Sequence, residues 1–196
     1  MFELLRRVWK SALLRGVHYG DSHGRLDALY RLHDPWGMEG EAEQFRFGET
    51  NRIILENMGH VGTLLEIGCG EGHQSLRLLQ VCDSLHGVDV SARAIERART
   101  RCAAATFSVG DLFSMTEREH RTRVDLVVAC EVLYYMRDIR STVSQLSSLG
   151  RSCLVTYYQG QAARLDPVIE AISGVRSERF AHGDTVWNAH WWKGVG

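Results

Sequence analysis

Three glycines at alternate positions, Gly68, Gly70 and Gly72, close the stretch LLEIGCGEG, with Glu66 two residues ahead of the first. Glycine gives up more backbone freedom on folding than any other residue, so this spacing marks a chain that must turn tightly or admit another molecule against its backbone. A loop of this kind leading into a helix offers free N–H groups to an anion. Acidic residues recur further along: Asp89 beside Val90 in GVDVS, Asp111 in the Gly110-Asp111-Leu112 group, and Glu131 in CEVLYY between Cys130 and the pair Tyr134 and Tyr135. Ionised carboxylates accept hydrogen bonds from hydroxyls and amines, which makes each a candidate ligand contact.

The elements that must position these residues are outlined by hydrophobic pattern. TLLEIG, SLHGVDV, ATFSV, VDLVVAC and SCLVTYY are apolar, β-rich runs, and HQSLRLLQVC, SARAIERARTRC and RDIRSTVSQLSSL between them carry helical patterns. Strands that are apolar throughout and separated by helix-length segments predict a parallel sheet covered on both faces. After a helix around DPVIEAIS, the β-like runs VRSERFAH and TVWNAHWW are joined by Gly183-Asp184, a spacing that predicts an antiparallel hairpin. The expected fold is therefore α/β, a seven-stranded, mostly parallel sheet closed by a C-terminal hairpin. Residues 61–196 form that domain in this reading, and residues 1–60 a helical lid or substrate segment broken at Asp34-Pro35-Trp36-Gly37.

Ligands of such sheets bind beyond the carboxyl ends of the strands, where the glycines lie. A dinucleotide fingerprint needs a small residue where this chain has His73, and a Walker A loop needs a Lys-Ser/Thr pair that does not follow here. The spacing reads E-x-G-x-G-x-G, and with it the chain resembles the class I S-adenosylmethionine (SAM) methyltransferases. The resemblance implies a Rossmann-like fold and SAM as cofactor. The loop N–H groups would receive its carboxylate, with Glu66 near the ammonium or the loop. Asp89 would accept the ribose hydroxyls, and Gly110, Asp111 and Leu112 would clamp the adenine. CEVLYY would line the active site, with Cys69 and Cys130 as small residues flanking the pocket. Asp89 and Asp111 suit equally well the capping of the helices that follow them.

Within that family the chain is similar to the nodulation N-methyltransferases, the NodS-like group. Asp34-Pro35-Trp36, the acidic helix with Glu43, Gln44 and Arg46, LLEIGCGEG and CEVLYYMRD carry the similarity, from about Asp34 to Asp138. The resemblance implies methylation of an amine, in that group the amine of an amino sugar in a lipo-chitooligosaccharide. Methylation of an oxygen on a sugar or secondary metabolite is the alternative, and a non-catalytic, methyltransferase-like partner subunit is another.

Methyl transfer from a sulfonium is an in-line displacement that needs an aligned acceptor and no water. An amine requires only a group to take its proton, whereas a hydroxyl requires a base. Only Gln159-Gly160 separates the fifth strand from the next helix pattern, so the acceptor pocket falls to the N-terminal helices and the loop after the fourth strand. Trp36 could cover the sulfonium with its ring face, and Arg46 could fork onto the cofactor carboxylate. Glu131 is the expected proton acceptor or amine anchor, Tyr134 or Tyr135 the orienting group and His33 a possible base, with Tyr30 behind them. Trp187, Trp191 and Trp192 with His182 and His190 could shape a binding rim, although their alternation argues for an edge strand buried against a helix.

The whole chain narrows these choices. Its 196 residues suit one well-buried domain, and a net charge of −1 gives no support for nucleic-acid binding. Five cysteines without CxxC spacing read as free thiols in a reducing cytoplasm. The nine histidines include no HExxH-like ligand set, so no metal is expected. No apolar run approaches the roughly 20 residues of a membrane span. In MFELLRRVWKSALLRG, Phe2, Leu5, Trp9, Ala12 and Leu13 share one helical face. Such a basic amphipathic helix packs on its own domain or lies on a membrane surface.

Overall fold

Leu64 and Leu65 are neighbours in the chain, point to opposite faces of one strand and are both buried, which places that strand in the middle of a covered sheet. The computed structural model describes residues 23–113 and 123–195. The expected amphipathic helix over the first residues lies outside the described part. In chain order the elements are α1 (His23–Leu29), α2 (Glu41–Asn57), β1 (Val61–Ile67), α3 (His73–Leu78), β2 (Cys82–Asp89), α4 (Ala92–Arg101) and β3 (Thr106–Val109). β4 (Val124–Cys130), α5 (Ile139–Leu149), β5 (Gly150–Tyr158), α6 (Ala162–Ile169), β6 (Arg176–His182) and β7 (Thr185–Lys193) follow. Short 3₁₀ turns span Leu133–Tyr135 and Gln159–Gln161.

The seven strands form one sheet in the order β3-β2-β1-β4-β5-β7-β6. Strands β1 to β5 are parallel, and β7 runs antiparallel to both β5 and β6. The strand order reverses between β1 and β4, so the loops leaving these two adjacent strands diverge and leave a crevice at their carboxyl ends.

Two apolar layers flank the sheet. On one face Leu64, Leu126, Leu154, Trp187 and Trp191 pack with Ile53 and Ile54 of α2, Leu78 of α3 and Ile95 of α4. On the other, Leu65, Val127, Val155 and Trp192 pack with Leu146 of α5 and Leu165 of α6. Helix α2 thus covers the sheet, and the boundary expected near residue 60 does not separate two cores. The sequence pattern hides this because a helix facing a sheet and a helix facing a ligand bury the same kind of stripe.

The C-terminal tryptophans form no rim. Strand β7 lies second from the edge, and Trp187, Trp191 and Trp192 are at most 7% exposed. Trp187 stacks on Phe180, Trp192 Nε1 donates to Ser147 Oγ, and His190 is buried flat against Tyr157. His182 sits 5.2 Å from the Phe45 ring.

Two helix ends differ from the hydrophobic pattern. The helix expected through HQSLRLLQVC stops at Leu78, where Gln80 and Val81 close i→i−3 turns and Val81 O opens the ladder to Val61. The helix expected at DPVIEAIS begins at Ala162, with Pro167 inside it. Leu165 and Ile169, both fully buried, anchor it on either side of the proline, and Tyr157 donates its hydroxyl to Asp166 at 2.5 Å. Tertiary contact there overrides the local bias against helix before proline.

Among the described residues, Trp187 is the largest fully buried side chain. Trp187→Ala is expected to cost about 3–5 kcal/mol, a large share of the roughly 5–15 kcal/mol of a typical domain. Chemical denaturation followed by far-UV circular dichroism measures the loss.

Candidate functional site

The crevice above β1 and β4 opens into a cavity of about 280 Å³ walled by the loops after β1, β2, β3 and β4 and by the segment before α2. Of the residues expected from the sequence to be catalytic or to bind the cofactor, all line it except Gly72 and His33.

Its floor is the β1–α3 loop. Gly68, Gly70 and Gly72 have φ of +74°, +53° and +78°, a left-handed conformation that side chains disfavour. A Cβ on Gly68 would stand 2.6 Å from Val132 Cγ2, and one on Gly70 2.9 Å from Tyr30 Oη. A Cβ on Gly72 would stand 3.1 Å from the Ala98 Cα of α4. The room left by the glycines is therefore occupied in part by the protein's own elements: the β4 loop, the N-terminal segment and α4. Gly72 lies beneath the cavity as the N-cap of α3.

Asp89 ties this floor to β2. One carboxylate oxygen accepts the Gly70 N–H and the other the Ser91 N–H, each at 2.9 Å. Ser91, not Asp89, is the N-cap of α4, with its hydroxyl accepting from Ala94 N. A carboxylate accepts more than two hydrogen bonds, so this geometry leaves Asp89 able to meet a diol. Gly110 N donates to Asp89 O, which holds the next loop alongside. Asp111 accepts from Phe113 N in a local turn, Leu112 is fully buried beneath it, and Val90 completes that wall.

Arg46 enters from α2. Its side chain is 2% exposed, with Nε on Glu43 Oε2 at 2.7 Å and Nη1 on Gln74 Oε1 at 2.9 Å. Burial works against its charge, but the Glu43 and Glu131 carboxylates outweigh burial and hold its pKa up. Nη2 makes a 4.0 Å contact with Met38 Sδ, and the buried Nε2 of Gln74 has no hydrogen-bond partner among the described residues. Because Nη1 fixes the amide oxygen of Gln74, its NH₂ is the group left to donate. A guanidinium edge and an amide donor at one cavity wall suit a carboxylate. Gln74 escapes sequence reasoning, its only signal being a polar residue at a buried helix position.

Glu66 lies behind this pair, accepting from Ser75 Oγ. Burial pushes its carboxyl up to about 7, against the pull of Ser75 and Arg46. Burial likewise raises the thiols of Cys69 and Cys130, which stay protonated and serve as small wall residues.

At the other end stands Glu131, at a φ of +56°, just past β4. Backbone strain of this kind persists only where neighbours over-determine it. Glu131 N donates to Thr156 O at 2.8 Å. Its carboxylate accepts long hydrogen bonds from Tyr158 N at 3.2 Å, Tyr134 Oη at 3.3 Å and Thr156 Oγ1 at 3.4 Å. Burial raises its pKa, with Arg46 pulling the other way. Burial also raises both Tyr134 and Tyr135, so their hydroxyls remain neutral donors. The turn carrying them is clamped by Arg164 of α6, which donates to Tyr134 O and Met136 O at 2.6 Å each. No sequence signal links Arg164 to this turn.

Trp36 and Tyr135 face one another across the mouth with ring centroids 5.8 Å apart, and Trp36 Nε1 donates to Tyr30 Oη at 3.0 Å. His33 is exposed and outside the lining, so the structure does not bring this expected base to the site. The turn between them is shaped by Asp34, whose carboxylate accepts from Met38 N and Glu39 N and whose own N–H donates to Glu71. Asp34, Glu71 and His73 could offer metal-ligand atoms within 4.8 Å of one another. Arg97 already pairs with Glu71, and Arg101 donates to Glu71 O, so this cluster is charge-balanced by the protein itself.

Residues 21–159 match the family described as nodulation protein S (NodS). The chain is 34% identical over 140 residues to nodulation protein S of Bradyrhizobium diazoefficiens, covering 65% of this chain and 64% of that protein. It is 32% identical over 151 residues to that of Sinorhizobium fredii, covering 70% and 69%. The match thus spans about two thirds of these relatives. The crystal structure of N-methyltransferase NodS from Bradyrhizobium japonicum WM9 with S-adenosyl-L-homocysteine (SAH) superposes with a TM-score of 0.75 over 89% of this chain and 99% of that one. At 22% identity that likeness establishes the Rossmann-like methyltransferase fold. With the family match running from before the Asp34-Pro35-Trp36 turn to the end of β5, the chain belongs to the nodulation protein S family.

Proposed function

We propose that this protein is a SAM-dependent methyltransferase of the reducing cytoplasm that acts on the amine of a small molecule, an amino sugar or related metabolite. One observation carries the reading. A single cavity has the buried Arg46 guanidinium, the Gln74 amide nitrogen and Asp89 at one end, and a loosely bonded carboxylate, Glu131, at the other. The related NodS structure is that of an N-methyltransferase, which agrees with an amine acceptor.

The residues fit the cofactor. Arg46 and Gln74 would hold its carboxylate, Glu66 would balance its ammonium, Asp89 would accept the ribose hydroxyls, and Gly110, Asp111 and Leu112 would meet the adenine. SAM, when bound, supplies an activated methyl group on a sulfonium. Glu131 would anchor the acceptor as an ammonium and then take one proton, freeing the nitrogen lone pair to form the N–C bond as the bond from methyl to sulfur breaks and SAH is left. A carboxylate whose pKa is raised by burial suits that step. The same carboxylate is a weak base for a hydroxyl, and His33 is outside the cavity, so the geometry favours nitrogen over oxygen. Trp36, Tyr134 and Tyr135 would orient the acceptor and exclude water.

Calorimetric titration with SAH is expected to show micromolar binding, with NAD inert. Asp89→Ala should weaken it about a hundredfold, from two charge-assisted hydrogen bonds lost, and Gly70→Val should abolish it. Near-wild-type affinity in either variant would remove the cofactor assignment.

Glu66 makes the affinity depend on pH. Its folded pKa of about 7 lies above its ordinary 4.5. The stability it contributes to the free protein is full below pH 4.5 and is lost as the pH rises through about 7. SAH affinity should rise over the same window as the carboxylate ionises beside the ammonium. Glu66→Gln should flatten both profiles, and calorimetry and thermal melts across that range read them out.

Glu131→Gln should lower kcat for methylation of glucosamine by about 10²–10⁴ while leaving SAH binding unchanged. Product formation followed by mass spectrometry tests this, and a variant as fast as wild type removes Glu131 from the chemistry.

A further inference from the structure

Glu131 and the turn after it form the acceptor end of the cavity, and local bonds alone do not hold them. Glu131 is in the left-handed region, at a φ of +56°, and the turn Leu133–Tyr135 is a single 3₁₀ turn. Within it, Tyr135 N donates to Val132 O and Met136 N to Leu133 O, each at 3.0 Å. The carbonyls of Tyr134 and Met136 are bonded from another element. Arg164 Nη1 donates to the first and Nη2 to the second, each at 2.6 Å. Two separate nitrogens of one planar fork thus meet two carbonyls, a geometry that a single ammonium matches less well. Tyr134, Tyr135 and Met136 line the cavity, and Arg164 does not.

The helix behind Arg164 is braced in its turn. Helix α6 is eight residues long, and its Pro167 lacks a backbone donor. A helix this short does not persist by propensity alone. Asp166 accepts the Tyr157 hydroxyl at 2.5 Å. That hydroxyl has only one proton, so its 2.8 Å contact with His190 is one in which Nε2 carries the hydrogen. Tyr157 is fully buried and His190 is 4% exposed, so a chain of hydrogen bonds crosses the core from β7 through β5 to α6. None of its three members lines the cavity. What the chain fixes is the place of α6 on the sheet, and with it the guanidinium two residues before Asp166.

Tyr134 carries this restraint to the reacting end. Its carbonyl is held by Arg164, and its hydroxyl donates to Glu131 Oε2 at 3.3 Å. The strained backbone of Glu131 persists only while its neighbours over-determine it. We infer that Arg164 is a positioning residue for methyl transfer: from α6 it holds the Tyr134–Met136 turn, and through Tyr134 the Glu131 carboxylate, in register with the amine acceptor. The inference rests on the amine reading of the site.

The test is the kinetics of glucosamine methylation, followed by mass spectrometry, with SAH affinity measured alongside by calorimetry. Arg164→Ala should lower kcat about a hundredfold, the effect of a misplacement of roughly 1 Å at a reacting centre. KM should stay near wild type, so that kcat/KM falls equally, because alignment is lost while ground-state binding is kept. Unchanged SAH affinity shows that the variant is folded. Arg164→Lys, which keeps the charge and one point of the fork, should be about tenfold below wild type, as for one charge-assisted hydrogen bond lost. A residue that only stabilised the fold would lower the melting temperature and leave kcat of the folded protein unchanged. Wild-type kcat in Arg164→Ala, or a change confined to KM, overturns the inference. If Arg164→Ala loses SAH binding, Arg164→Lys decides alone, and wild-type kcat there overturns the inference. Failure of wild type to methylate glucosamine overturns the amine reading, and the inference with it.

Discussion

Four elements converge on the backbone between β1 and α3 because that backbone has no side chains at the points of contact. Val132 from the β4 loop, Tyr30 from the N-terminal segment and Ala98 from α4 each stand where a Cβ of Gly68, Gly70 or Gly72 would be. Asp89 holds the same loop from β2 through the Gly70 amide. The left-handed conformation of the three glycines brings the loop up at the strand-order reversal, so every wall of the cavity is registered to it. A side chain at Gly68 would push Val132, and with it the neighbouring Glu131, away from the cofactor end. The distance between the two halves of the site is thus set by the closeness of these backbones.

Charge is the second constraint. Arg46 is an almost fully buried guanidinium, and a charge in such a place is tolerated only with partners. Glu43 and Gln74 satisfy one side of it, and the field of Glu131 supports it from across the cavity. In return Arg46 pulls Glu66 and Glu131 toward ionisation against burial. The cofactor end and the acceptor end are therefore electrostatically coupled through one cation, and removing it would shift both carboxylates together.

The segment before α2 is held differently from the rest. Its links to α4 and the cap of that helix are polar: Arg93 and Ser91 to Asp27, and Arg97 to Leu32 O. Among its described residues, Leu29 and Tyr30 are the buried apolar contributions. Partly exposed ion pairs are each worth little and weaken with salt. Helix α2, by contrast, commits Phe47, Ile53 and Ile54 to the core. The wall containing Trp36 therefore joins a firmly packed helix to a lightly attached one.

Local pattern carried most of the fold. Apolar runs such as VDLVVAC match the observed strand to the residue, because its central residues, Leu126 to Ala129, are apolar and buried on both faces. The glycine loop, Asp89 and Glu131 were legible for a related reason: rare residue types at strand ends have few local explanations. What local pattern cannot carry is which distant element comes to rest against another. It did not show that α2 belongs to the core, that β7 inserts between β5 and β6, or that His33 is turned away from the cavity. Gln74 and Arg164 acquire their places only when α3 meets α2, and α6 meets the turn after β4. Sequence by itself determined the strands, the loop and the acidic residues at their ends, since these follow from periodicity and backbone freedom. Tertiary structure alone decided which side chains share the cavity, because burial and hydrogen bonding there depend on packing between residues far apart in the chain.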